Sequence, residues 1–436
     1  MAMTDILLVQ PQVPSRLLPY RKEIVLSPPI GLCYIAANLL AHQFDVEMAD
    51  FAVRDPSPRD SEMEIRRQQP KILGITASTS TYNKALKIAR IAKEIDSQTI
   101  TVVGGPHVTF TAQEALSHRE IDLVVRNEGE IAMLELCKLY LRGEGRLDGI
   151  EGITYRSEGT IVSNPSRPLI QDLDQLPFPA RHLLPLDLYK IPGTMITSRG
   201  CPSRCIFCAA QAMSGGTYRV RSPRNVLTEI DEMKRRYEPP LYFFADDAFT
   251  VFHNRTREIC AGLKKMDVRW ICESRVNFVN MELLREMADS GCFAIQFGVE
   301  SGSQTILNSI RKGITVDQVR KAVKLARELG LLTVCSFMLP HPGDTLETIA
   351  ETKRLMLELK AIGAVVVVTP TTPFPGTYLW DRASELGVSM VSDDLEDFDL
   401  LTPTMVTRHL TIDQVWAAYE DLMSISSRIP GKQAFV

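Results

Sequence analysis

Residues 199–209 read RGCPSRCIFCA and place cysteines at positions 201, 205 and 208. The Gly-Cys-Pro start marks a turn, so Cys201, Cys205 and Cys208 lie on a loop rather than inside a regular element. Three thiols so spaced could form a zinc site, a redox pair with a spare, or three ligands of an iron–sulfur cluster. Zinc sites usually set one close pair of cysteines against a second pair further along. No second pair follows here, and no His-x-x-x-His is present. A Cys-x-x-Cys redox site leaves Cys201 unexplained. A cubane cluster takes four ligands, so three cysteines leave one iron open to a cofactor or substrate. The residues alone leave cluster and zinc both open, with the cluster the better fit.

The rest of the composition sets the frame. The 436 residues, 45% hydrophobic and 23% charged, suit two globular domains. A net charge of −4, with no basic block interleaved with aromatics, argues against a nucleic-acid partner. The start, MAMTDILLVQPQ, lacks the charged head and long apolar run of a signal peptide. No apolar stretch approaches the roughly 20 residues that span a bilayer. A cytoplasmic chain without membrane contact is expected. The remaining cysteines, Cys33, Cys137, Cys260, Cys272, Cys292 and Cys335, sit singly among apolar neighbours and read as buried small hydrophobes.

Outward from the cysteines, strand and helix patterns alternate in both directions. Upstream, apolar strands at 6–9, 45–50, 72–76, 99–103 and 123–125 alternate with helical spacing at 31–42, 83–96 and 130–141. This predicts a Rossmann-like parallel sheet with both faces covered. A hairpin is expected at 153–162 around Glu158-Gly159, followed by a proline-rich linker. Downstream, strands at 194–198, 241–245, 269–273, 293–299, 332–338 and 364–369 alternate with helices. That is the pattern of a partial (β/α)6 barrel, whose chemistry sits at the strand C-termini. The fold class is thus α/β throughout. Residues 1–145 form the Rossmann-like domain, 146–192 the hairpin and linker, 193–385 the partial barrel and 386–436 a C-terminal helical segment.

Cys-x-x-x-Cys-x-x-Cys after the first strand of such a barrel resembles the radical S-adenosylmethionine superfamily. The resemblance implies a 4Fe-4S cluster on Cys201, Cys205 and Cys208. It further implies S-adenosylmethionine on the open iron and a 5′-deoxyadenosyl radical on reduction. Phe207 matches the aromatic position that stacks on adenine. Phe244-Ala245-Asp246-Asp247 ends the second strand, where the family holds the cofactor's amino group. The usual Gly-Gly-Glu is absent, so Asp246 or Asp247 would accept from that ammonium. Glu300-Ser301-Gly302 resembles a ribose-contact segment, and Glu273 and Arg275 follow the third strand on the same rim. His341 and the proline-rich turns at 340–343 and 373–376 look like loops of the same branch.

The resemblance extends to the front domain, which is similar to cobalamin-binding domains at 27–31, Ser78-Thr79-Ser80, Gly104-Gly105-Pro106-His107 and 126–130. Ser78, Gly104, Gly105 and His107 are its candidate contacts. Cobalamin-dependent mutases supply a histidine to cobalt from an Asp-x-His-x-x-Gly loop. The corresponding loop here, Ser27–Gly31, contains no histidine. Some members keep the domain without binding cobalamin.

The leading expectation is therefore radical C-methylation of a small molecule in secondary metabolism. The alternative is a cobalamin-independent dehydratase (a lyase) or epimerase acting on an amino sugar in antibiotic biosynthesis. There Asp247, Glu273, His341 or Tyr218 would move the proton. The acidic mouth suggests a cationic substrate in either case. A flavodoxin or ferredoxin is the expected electron donor. A non-catalytic, zinc-stabilised binding protein is the third reading.

Overall fold

A computed structural model describes residues 4–20, 25–53 and 60–426. The chain divides into two compact units, one of Met1–Gln171 with Gln175–Lys190, the other of Asp172–Asp174 with Ile191–Val436.

In the first unit, the strands β1 (Ile6–Gln10), β2 (Val46–Asp50), β3 (Ile72–Thr76), β4 (Ile100–Gly104) and β5 (Leu123–Val125) are all parallel, in the order β2-β1-β3-β4-β5. Strands such as β1, ILLVQ, are apolar at nearly every position because helices cover both faces of the sheet. The helices 30–41 and 130–142 pack together, as do 60–68 and 82–95. Right-handed crossovers demand this, because the chain moves outward from β1 to β2 and then reverses past β1 to β3. The reversal opens a crevice at the C-terminal ends of β1 and β3, where ligands of such sheets bind.

The hairpin β6 (Ile153–Ser157) and β7 (Thr160–Ser163) extends this sheet antiparallel to β5. The proline-rich stretch after it packs onto the same unit rather than hanging free. Ala180, Leu184 and Tyr189 enter its core, and Tyr189 Oη donates to Asp50 at 2.6 Å.

The second unit holds six parallel strands: β8 (Gly193–Met195), β11 (Tyr242–Phe244), β12 (Trp270–Ser274), β13 (Cys292–Glu300), β14 (Leu332–Leu339) and β15 (Val365–Pro370). Between the first two lies a short antiparallel ribbon of β9 (Ser198–Arg199) and β10 (Arg219–Val220). The helices connecting the barrel strands are amphipathic. The helix Val316–Glu328, for example, buries Val319, Ala322, Val323 and Ala326 and is capped reciprocally by Thr315 and Gln318. Phe244, Phe249 and Trp270 form an aromatic cluster with ring centroids 4.8–5.5 Å apart. The closing helix Ile412–Ile425 packs on β15 and on the helix Leu346–Ala361. Of the expected C-terminal segment 386–436, residues 427–436 lie outside the described residues. Among the described residues no helix is long and apolar enough to cross a membrane.

Ile295 is fully buried on the central strand β13. Ile295→Ala removes its methylenes from a packed core and should cost about 2–5 kcal/mol. The check is a lower urea midpoint for the second unit.

Candidate active site

The loop carrying the cysteines begins at Gly200, which has φ +86°. A Cβ there would collide with Thr217 O and come within 2.7 Å of Ser214 Cβ, so only glycine fits the turn. Two backbone bonds fix the loop's middle: Ile206 N donates to Ile310 O at 3.1 Å, and Leu379 N donates to Ile206 O at 2.9 Å. Cys201 and Cys205 are buried and Cys208 is half-buried. All three line one cavity of about 220 Å³ at the C-terminal ends of the barrel strands. Among the described residues, no three His, Cys, Asp or Glu side chains converge on a single metal ion. Zinc needs such convergence, whereas a cubane binds each thiolate through a different iron.

The polar walls of this cavity are charged on both sides. Arg275 Nη1 lies 3.4 Å from Cys205 Sγ, and its Nη2 donates to the carbonyl of Lys312. Lys312 Nζ pairs with Glu300 Oε1 at 2.7 Å, with both side chains buried. The same ammonium lies 5.9 Å from the centroid of Phe207. Asp247 accepts from Gly200 N at 3.1 Å. Burial, then the charge of Asp246, raises the Asp247 carboxyl above its ordinary value. Glu273 lines the cavity without a cationic partner among the ion pairs of the described residues. Burial first, and then Asp247, Glu300 and Asp246, push its carboxyl up to about 7.

Of the residues expected from the sequence, Cys201, Cys205, Phe207, Cys208, Asp247, Glu273, Arg275 and Glu300 meet in this cavity. Four others stand outside its lining. Asp246 is buried, and both its oxygens are occupied by Thr197 and Ser198. Ser301 Oγ bonds Thr352 Oγ1 at 3.1 Å and accepts from Ser303 N at 3.1 Å. Tyr218 Oη donates to Ala248 O at 2.9 Å, and burial raises its pKa. His341 is fully buried with its ring 5.7 Å from that of Phe207. Burial lowers the His341 pKa to about 3, which leaves the imidazole neutral at pH 7.

The cavity also contains residues that the sequence reading passed over: Ser203, Gln296, Ser336 and Lys312. Gln296 and Ser336 are polar breaks in otherwise apolar strands, CFAIQFGVE and LTVCSFML. In a barrel, such alternation marks positions that point inward. Lys312 carries no such signal, because its partner Glu300 lies twelve residues away on another element.

In the first unit, Ser78 follows β3, Gly104 ends β4, Gly105 follows it and His107 lies in the short helix Pro106–Phe110. Ser78 and Thr81 cap the short helix there, with their hydroxyls 2.8 Å apart. Gly105 has φ +105°, and a Cβ on it would fall 2.7 Å from Ala77 O. The ends of β3 and β4 therefore approach too closely for any side chain at position 105. His107 is buried, with Nδ1 3.3 Å from Thr79 Oγ1 and its ring 4.5 Å from that of Tyr82. Burial lowers its pKa to about 4.

Comparison with known proteins bears on both units. Residues 195–356 match the Radical SAM superfamily, and residues 25–137 match the B12 binding domain. An uncharacterized methyltransferase of Pyrococcus horikoshii is 36% identical over 426 residues, covering 95% of this chain and 90% of its own. The chain belongs to the radical SAM superfamily, in the branch that carries a B12-binding domain. The anaerobic magnesium-protoporphyrin IX monomethyl ester cyclase of Rubrivivax gelatinosus is 30% identical, covering 90% of this chain and 73% of its own. The radical S-adenosylmethionine methyltransferase TsrM of Kitasatospora setae, solved with cobalamin and a [4Fe-4S] cluster, shares the fold. Its TM-score is 0.78 at 17% identity, covering 98% of this chain and 92% of that one.

The two family matches imply a [4Fe-4S] cluster and S-adenosylmethionine for the barrel and cobalamin for the first unit. The residues present fit them. The barrel offers three thiols with a guanidinium on one sulfur, a ring, and two cations beside three carboxyls. Such a charge pattern suits a zwitterionic amino acid bearing a sulfonium. The first unit offers small residues, Ser78 after β3, which borders the switch point, and Gly104 and Gly105 at the end of the neighbouring β4.

Glu273 gives a pH test on the cofactor-free protein. Its folded pKa, about 7, lies above the ordinary value of 4.5, so the folded state holds the proton more tightly. Its contribution is fully present below about 4.5 and is lost as pH rises through about 7. Glu273→Gln should therefore melt higher than the parent at pH 8, and the gain should shrink toward pH 4.5.

Proposed function

We propose that this protein transfers a methyl group from S-adenosylmethionine to a carbon of a small molecule, with cobalamin as the carrier. The observation that carries the reading is the pairing, in one chain, of a B12 binding domain with a barrel cavity lined by three cysteines. The cobalamin-independent dehydratase or epimerase is not favoured, since it leaves the first domain without a role. When bound, the cluster supplies one electron, S-adenosylmethionine the 5′-deoxyadenosyl radical and the methyl group, and cobalamin the methyl carrier.

The chain's own residues hold and orient. In this reading Cys201, Cys205 and Cys208 bind three irons, and Arg275 offsets the negative charge gathered on their sulfurs. Phe207 packs against adenine. Lys312 and Glu300, already paired, present one cation and one acceptor to the polar end of S-adenosylmethionine. Asp247 and Glu273 remain for an ammonium or a cationic substrate such as an amino sugar. Glu273, with a carboxyl near neutrality, is the better proton acceptor of the two. Ser78, Gly104, Gly105 and His107 contact cobalamin in the first domain.

A cluster that must be reduced at low potential needs a donor such as a flavodoxin or ferredoxin. Reduced thiols and an oxygen-sensitive cluster suit the cytoplasm. Secondary metabolism, antibiotic biosynthesis included, is the proposed setting. The domain limits that go with this reading are 1–145, 146–192, 193–385 and 386–436.

Anaerobic reconstitution with and without cobalamin tests the proposal. Cobalt should be retained, and turnover should release S-adenosylhomocysteine beside 5′-deoxyadenosine. Release of 5′-deoxyadenosine alone would instead indicate dehydration or epimerisation. Cys205→Ala should lose cluster iron and reduce S-adenosylmethionine cleavage to the level of a protein-free control.

A further inference from the structure

Asp246 has no place in the cavity, yet it is among the most heavily bonded carboxylates in the second unit. It is 1% exposed at the end of β11. Oδ1 accepts from Thr197 N at 2.6 Å and Ser198 N at 3.0 Å, and Oδ2 accepts from both hydroxyls, that of Ser198 at 2.7 Å. The carbonyls of the same stretch are taken by two buried guanidiniums. Arg221 Nη1 donates to Ile196 O at 2.9 Å, and Arg255 Nη2 donates to Thr197 O at 2.7 Å. Arg255 Nε reaches Arg221 O at 2.8 Å, and Arg221 is itself ion-paired to buried Glu229.

Taking these charges out of water is expensive, and a short turn can be held by backbone bonds alone. What they hold is the stretch that runs directly into Gly200 and Cys201. The next residue along β11's end, Asp247, binds Gly200 N. One strand end therefore grips the chain at residues 197, 198 and 200, immediately before the first thiol.

We propose that Asp246 is a positioning residue for the iron–sulfur cluster: it fixes Thr197 and Ser198 and so sets where Cys201 presents its sulfur. It does not bind S-adenosylmethionine, the role its place after the second strand suggests. The inference rests on the three cysteines holding the cluster and is independent of methyl transfer and of cobalamin.

The test uses the full chain reconstituted anaerobically, with Asp246→Ala, Asp246→Asn and the double variant Thr197→Val/Ser198→Ala. Asparagine keeps one oxygen for the two N–H donors and offers an amide to the two hydroxyls, but it removes the charge. Three readouts are taken: the rate of iron loss to a chelator, the EPR signal of the reduced cluster with and without S-adenosylmethionine, and the melting of the cofactor-free chain. Partners that orient metal ligands are typically worth 10- to 100-fold in metal retention, so Asp246→Ala should lose iron about 10-fold faster or more. Asp246→Asn should restore most of that retention and keep the EPR response to S-adenosylmethionine. The double variant should fall between the parent and Asp246→Ala.

Parental iron retention in Asp246→Ala overturns the proposal. So does an Asp246→Asn protein with an intact cluster but no EPR response to S-adenosylmethionine, the signature of a lost charge contact. Should Asp246→Ala fail to fold, the double variant decides, and an unchanged chelation rate overturns the proposal. A parent protein that takes up no cluster would sink the cluster assignment itself, a separate failure.

Discussion

A loop that must present three sulfurs to one cavity cannot be a strand or a helix, and it has almost no core of its own. Its shape has to be imposed from its ends. The ribbon of β9 and β10 ties residues 198–199 to 219–220 and closes the loop into a ring. Gly200 makes the turn at one end with a backbone conformation that side chains resist. Ile206 is fastened on both sides by backbone bonds to residues far along the chain, Ile310 and Leu379. The cysteine-bearing segment is thus shaped by the finished barrel, which needs β11, the segment after β13 and the turn before residue 379 all in place.

The charges in the cavity follow from the same burial. A carboxylate or ammonium taken out of water must be paired, neutralised or bonded. Glu300 solves this with Lys312, and Arg275 with a carbonyl and a sulfur. Asp247 has a backbone N–H. Among the described residues Glu273 has no ion-pair partner and no backbone donor to its carboxyl, and burial acts on it together with the charges of Asp247, Glu300 and Asp246. Protonation is the cheapest answer left in the cofactor-free protein. A cationic ligand is the other answer, so the residue that titrates nearest neutrality is also the one most sensitive to what the cavity holds.

Much of this was legible in the sequence, and the failures are local. Helix and strand periods placed every strand of both parallel sheets within a few residues, because burial on a fixed face repeats at fixed spacing. The first barrel strand is the instructive miss. Its apolar run suggested 194–198, but the pairing strand stops at Met195. Thr197 and Ser198 leave the barrel because Asp246, forty-nine and forty-eight residues away, takes their N–H groups. No window of neighbouring residues contains that information. The same holds for Lys312, and for the proline-rich stretch expected to be a linker. There Tyr189 is bound to Asp50 across 139 residues, and Ala180 and Leu184 are buried in the core of the first unit.

The first unit places a comparable limit on what its histidines can do. The chain between β1 and the helix Ile30–Ala41 holds no histidine, so it cannot supply an imidazole to a metal. His107 stands near the crevice but is not a ready substitute. Its ring is packed on Tyr82 and one nitrogen faces Thr79. Reaching outward would break that packing and leave a cavity under the turn after β4. The turn has no slack to follow it, because Gly105 already sits against Ala77 as closely as a backbone can. A cobalamin in this domain would be approached by the small residues Ser78, Gly104 and Gly105 rather than by a histidine of the segment before Ile30.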